Sequence, residues 1–288
     1  MIINLRALLA TLVLFITLQA VAQKPVNKMQ TLVTSGHAAV NGISMYYEIH
    51  GKGDMPLVLI HGGGSTIEVT FGNILPYFAA NNKIIAVELQ AHGRTSDRNS
   101  PESFEQDADD VATLLKHLNI TKANIMGFSN GGTTTLQIAI RHPQLVNKIV
   151  VIAGSYKRDG FIDGFFDFMP KATIDNMPQP LKDAFLKVTP SQAGLLTMFN
   201  KDKQRMIDFK DISDTDISNI KKPAMFIVAD KDVITVPHTM AMAKLVSGAE
   251  LMVLPGIHGE ALGETTTYKT GSKAPQATAI LVDEFLKR

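Results

Sequence analysis

One serine in this sequence stands between glycines placed two residues away on either side, Gly127-Phe128-Ser129-Asn130-Gly131. A serine hydroxyl attacks a carbonyl only when a base takes its proton, and the base needs a third group to orient it. Ahead of the serine, Ala123-Asn-Ile-Met126 reads as a buried strand; behind it, Thr133 to Arg141 reads as a helix stopped at Pro143. That context predicts a sharp strand-to-helix corner at Ser129. Glycines at 127 and 131 suit the corner, because a Cβ at either place would collide with its neighbours. The corner lifts the hydroxyl above the sheet and aims a helix N-terminus at it. Backbone N–H groups there, beginning with that of Asn130, can hold a developing oxyanion.

A second glycine-rich turn, His61-Gly62-Gly63-Gly64, follows the apolar run Leu57-Val-Leu-Ile60. It supplies the other half of an oxyanion hole, with the Gly63 N–H as donor and Gly64 next in line. The base and its orienting carboxylate are sought at strand ends downstream. Asp230-Lys231-Asp232 closes the strand that ends at Val228, and Pro255-Gly256-Ile257-His258-Gly259 follows the last strand. Ser129, Asp232 and His258, in that chain order, make a nucleophile, an orienting acid and a base. Asp232 is preferred to Asp230, which lies nearer the strand and is placed to hold the turn. His37 and His50 fall on an N-terminal hairpin, His117 and His142 near helix ends and His238 in a first helical turn, all structural or solvated positions. His61 and His92 sit in strand-end loops and are expected to hold them by hydrogen bonds. No H-E-x-x-H pair occurs, and neither glycine-rich nucleotide fingerprint does, so no metal and no cofactor are expected.

The elements that must carry these residues alternate. His37 to Val40 and Ile43 to Ile49, joined by Asn41-Gly42, predict a hairpin, since both turn residues tolerate positive φ. Short apolar runs at 57–60, 84–87, 123–126, 149–152, 224–228 and 250–254 read as buried parallel strands. Helical patterns fall between them, one capped by Ser103 with Phe104, Ala108, Val111, Leu115 and Leu118 on one face, others at 237–246 and 276–287. The expected fold is α/β, a mostly parallel sheet with helices on both faces and the antiparallel hairpin at one edge. After the sixth strand the alternation stops. Residues of about 155–222 hold Phe161, Phe165, Phe166, Phe168, Phe185, Phe199 and Phe209, seven of the 14 Phe, and predict a helical cap over the sheet's carboxyl edge. Most of these rings are expected in the cap's own core, the rest on a substrate pocket.

Arg6 precedes an uncharged apolar run from Ala7 to Leu18 and then Ala20-Val21-Ala22, the three parts of a cleavable secretory signal. The run is short of the roughly 20 residues that span a bilayer. Residues 1–22 are therefore expected to be a signal peptide and 23–36 a linker, with the folded domain at 37–288. The expected compartment is periplasmic or extracellular, without stable membrane insertion after cleavage. A net charge of +1 gives no reason to expect a nucleic-acid partner. The absence of cysteine rules out disulfides, thiolate metal sites and a cysteine nucleophile.

From about His37 to the C-terminus the sequence resembles the α/β-hydrolase superfamily. Five landmarks carry the likeness in order: the loop at 61–64, Glu88-Leu-Gln-Ala-His-Gly-Arg-Thr95, the corner at 127–131, Asp232 with Pro237, and His258. The nearest branch looks like single-domain esterases, C–C bond hydrolases and cofactor-free peroxidases. His258 sits one residue earlier than in the family's G-x-G-H ending, and Ser129 sets the chain apart from the aspartate-nucleophile members. Together with the signal segment, the resemblance implies an exported serine hydrolase of small apolar or aromatic carboxylic esters, working through an acyl-enzyme. A cofactor-free peroxidase or C–C bond hydrolase on the same triad is the alternative. A non-catalytic ligand-binding protein is the alternative of another class, against which the intact triad argues.

Overall fold

The structure, a computed structural model, describes residues 32–288. The signal segment read at 1–22 and the first part of the linker lie outside the described residues. The hairpin is present as β1 (Leu32–Val40) and β2 (Ile43–His50), with positive φ at both Asn41 and Gly42. β1 begins at Leu32 rather than His37, so the stretch 32–36 is strand and not linker. Thr34-Ser-Gly36 carries no apolar alternation to signal this. It is drawn into the ladder by β2, whose length offers partners out to the Leu32–His50 pair.

Six further strands complete the sheet: β3 (Leu57–Ile60), β4 (Ile84–Val87), β5 (Ala123–Phe128), β6 (Val146–Ile152), β7 (Ala224–Lys231) and β8 (Glu250–Ile257). Their order is β1-β2-β4-β3-β5-β6-β7-β8. β2 runs antiparallel to both β1 and β4, and every other pair is parallel. This is the α/β fold expected, with the antiparallel hairpin on one edge. The chain winds away from β3 on both sides, to β4 and to β5, so the crevice outside the ends of these strands is where such a sheet receives a ligand.

Strand side chains alternate between faces, and the core divides accordingly. Val58 and Ile60 pack with Val111 and Leu115 of α3 (Phe104–His117) and Leu136 of α4 (Asn130–Arg141). Leu57 and Leu59 pack on the other face with Phe71 of α1 (Ile67–Phe71), Phe78 of α2 (Leu75–Ala79) and Phe285 of the last helix (Ala274–Lys287). Ser103 caps α3 as expected, its hydroxyl accepting from the Gln106 N–H at 3.1 Å.

Between β6 and β7 the chain is helical. The longest pieces are α5 (Gln179–Val188) and α6 (Gln192–Ile207). Phe209 meets Phe104 of α3 edge to face at 5.6 Å, fastening the insertion to the body of the fold.

Candidate active site

Ser129 stands where β5 meets α4, with φ 55° and ψ −119°, a conformation costly for a non-glycine residue and held by its surroundings. Its N–H donates to the Ile152 carbonyl of β6 at 2.8 Å. A Cβ at Gly127 would lie 1.9 Å from the Gly131 carbonyl oxygen, and one at Gly131 would lie 2.2 Å from that of Ile60. Both glycines are thus required by backbone packed against them.

The structure brings the three predicted residues together. His258, the residue after β8, sets Nε2 3.1 Å from Ser129 Oγ and Nδ1 2.6 Å from Asp232 Oδ1. The carboxylate accepts Nδ1–H, which leaves Nε2 bare toward the serine hydroxyl, the tautomer a general base needs. Asp232 is 2% exposed in its side chain and also accepts from the backbone N–H of Ile234 at 3.2 Å. Phe128 lies against the His258 ring, centroids 4.6 Å apart. In the His258 loop Gly256 stands at φ 131°, and its N–H donates to Asp230 at 2.7 Å. Asp230 therefore holds the turn, and the imidazole reaches the serine all the same.

The loop 61–64 lies across from Ser129. Helix α4 begins at Asn130, beside the serine, and its first N–H groups have no acceptor within the helix. Gly63 and Asn130 line the same cavity as Ser129 and His258. His61 is fully buried and bridges two loops: Nδ1–H donates to the Gly62 carbonyl at 2.7 Å, and Nε2 accepts the Leu89 N–H at 3.0 Å. Burial, followed by the neighbouring His92, lowers its pKa to about 3 and keeps the ring neutral. His238 is likewise buried, 3.0 Å from Ser155 Oγ and stacked on Tyr156.

The cavity over Ser129 measures about 350 Å³. Four of the seven insertion phenylalanines border it: Phe161, Phe165, Phe168 and Phe199. More rings face the pocket than the sequence reading expected, because the insertion is small and its inner surface is shared with the cavity.

Two charged residues of the insertion were missed in the sequence reading. Asp202 borders the cavity, and Arg205, one turn later on α6, is buried among Asp202, Glu102 and Asp107. Asp202 and Arg205 continue the helical stripe begun by the buried, apolar Leu195 and Met198. Charges on the inward stripe of a helix were the available signal.

Residues 55–187 match the model of the alpha/beta hydrolase fold. The match spans the 61–64 loop and Ser129 and stops short of Asp232 and His258. Serine hydrolase BPHL of Homo sapiens is 35% identical over 133 residues, 44% of this chain and 45% of that one; the chain thus spans about half the length of this curated relative. Among solved structures, the enol-lactonase from Burkholderia xenovorans covers 88% of this chain and 100% of its own, with TM-score 0.68 and 21% identity. The meta-cleavage product hydrolase from Pseudomonas fluorescens covers 89% and 98%, with TM-score 0.71 and 22% identity. These two likenesses speak for the fold.

Proposed function

We propose that the chain, which over residues 55–187 matches the alpha/beta hydrolase fold, is an exported serine hydrolase of small carboxylic esters with apolar or aromatic groups. The observation that carries the reading is the continuous contact Asp232–His258–Ser129, at 2.6 and 3.1 Å, on the floor of a phenylalanine-lined cavity. His258 takes the proton of Ser129 as Oγ attacks the carbonyl. The Gly63 and Asn130 N–H groups hold the oxyanion, His258 protonates the leaving group, and a water activated by the same imidazole releases the acyl group. Asp232 fixes the tautomer and stabilises the imidazolium.

A fluorophosphonate should label the mature protein at Ser129, and Ser129→Ala should abolish both labelling and p-nitrophenyl ester hydrolysis. Ser129→Ala with full activity would remove the serine mechanism, and a wild type inert to every ester and to the fluorophosphonate would favour a ligand-binding role. The likeness to the meta-cleavage product hydrolase supports a second reading, cleavage of a C–C bond beside a ketone. Product analysis on vinylogous keto acids separates it from ester hydrolysis. Export by residues 1–22 is tested by the intact mass of protein from the cell envelope, where a chain retaining those residues would defeat cleavage.

A further inference from the structure

Gly63 and Asn130 are both flanked by groups that end on one carboxylate of the insertion. Asp202 Oδ2 accepts the Gly64 N–H at 2.5 Å and faces His92 Nε2 at 2.8 Å. Its Oδ1 accepts from Asn130 Nδ2 at 3.4 Å and pairs with the Arg205 guanidinium. A Cβ at Gly63 would lie 2.5 Å from Asn130 Nδ2 and 3.2 Å from Asp202 Oδ2, so the glycine is seated against both. One side chain of α6 thereby touches the loop after β3, the loop after β4 and the first residue of α4.

The protons on His92 follow from its neighbours. Nδ1 lies 2.8 Å from the Gln90 carbonyl, which can only accept, so Nδ1 carries a proton. Nε2 faces a carboxylate oxygen, and two lone pairs at that distance would repel, so a proton lies between them too. Burial alone would lower the pKa of this ring, but the Asp202 carboxylate outweighs it and raises it to about 9. Nε2 is then a donor, and the Gly64 N–H has Asp202 as its acceptor. Arg205 is itself anchored to Asp107 of α3 at 2.7 Å. A bare carboxylate here would oppose an oxyanion. Between an imidazolium and a guanidinium its charge is compensated, and the guanidinium also pairs with Glu102 and Asp107.

We propose that Asp202 is a positioning residue that couples the seating of the helical insertion to the oxyanion hole. With α6 in place the Gly63 and Asn130 N–H groups converge; with α6 displaced they are released. This rests on the serine-hydrolase reading. Because the donors favour the tetrahedral oxyanion over the ground-state carbonyl, the effect falls on kcat and not on KM.

The test compares wild type with Asp202→Asn, an isosteric change that leaves one accepting oxygen where there were two. With p-nitrophenyl butyrate, kcat should fall about 100-fold, the scale of one lost oxyanion donor, with KM within about threefold. Phenylboronic acid, which forms a tetrahedral adduct on an active serine, should bind more weakly by a similar factor. Should Asp202→Asn not fold, Asn130→Ala removes one arm of the same network while keeping the backbone donor, and kcat should fall about fivefold, since the net cost of one side-chain hydrogen bond is about 1 kcal/mol. Unchanged kcat and boronate affinity in the folded variant, or a rise in KM alone, overturns the inference while the serine reading stands. A wild type that neither labels with fluorophosphonate nor hydrolyses esters overturns both.

Discussion

Asp230 accepts the Gly256 N–H at 2.7 Å, so the aspartate two residues before the orienting acid pins the turn two residues before the base. The two aspartates at the end of β7 thus have separate tasks. One shapes the loop that delivers His258, and the other holds the ring. Asp232→Asn should lower kcat about 10⁴-fold, because an amide donating to Nδ1 leaves Nε2 protonated. Asp230→Asn keeps an accepting oxygen and should stay within about tenfold of wild type. Steady-state kinetics on one ester ranks them, and the opposite order would hand the acid's role to Asp230.

The two glycine sites differ in what a methyl group would meet. At Gly131 the obstacle is the Ile60 carbonyl; at Gly63 it is the end of the Asn130 side chain. Gly131→Ala should cost about 3 kcal/mol of stability through overpacking against backbone. Gly63→Ala should cost about 1 kcal/mol, yet lower kcat about 100-fold by moving an oxyanion donor. Urea unfolding alongside kcat measurement separates the two, and equal stability losses would contradict this account.

Phe168 borders the cavity although it is 49% exposed, whereas Phe185 is buried in the insertion's own core. Phe168→Ala should leave stability within about 0.5 kcal/mol and shift preference from octanoyl toward butyryl esters about tenfold. Phe185→Ala should cost about 3–5 kcal/mol. Chain-length profiles that do not move in Phe168→Ala would remove this ring from acyl recognition.

Stability should decline on the alkaline side. Burial, with Arg205 opposing it, raises Glu102 to about 8, and Asp202, outweighing burial, raises His92 to about 9. A group whose folded pKa is raised contributes stability present below its unfolded value and lost as pH rises through the folded one. For His92 that window runs from its ordinary 6.5 to about 9. The melting temperature should therefore drop from pH 6.5 to 9.5. His92→Gln, which can still donate to Asp202 but does not titrate, should show a shallower drop. An equal slope in that variant would exclude His92 as a source.

The sheet and Ser129, Asp232 and His258 were legible because each is announced locally: apolar runs of strand length, glycines at a corner, and acid and base at strand ends in the expected order. The start of β1 was not, since Thr34-Ser-Gly36 is strand only by virtue of β2 beside it. Asp202 and Arg205 were hidden for a related reason. Nothing in their own neighbourhood points to His92, 110 residues away in sequence, and only the packing of α6 over the loops makes the contact.

His258 hangs from β8, an edge strand bonded to β7 on one side and, among the described residues, to no strand on the other. Ser129 by contrast rises from β5, between two neighbours. The proposed base is therefore mounted on an edge of the sheet and the proposed nucleophile in its middle, where opening costs more. Mild denaturant should silence the proposed esterase activity before it unfolds the protein, with activity fading at urea concentrations where the circular dichroism is still native and returning on dilution. Peeling of a single edge strand would act as a reversible fuse.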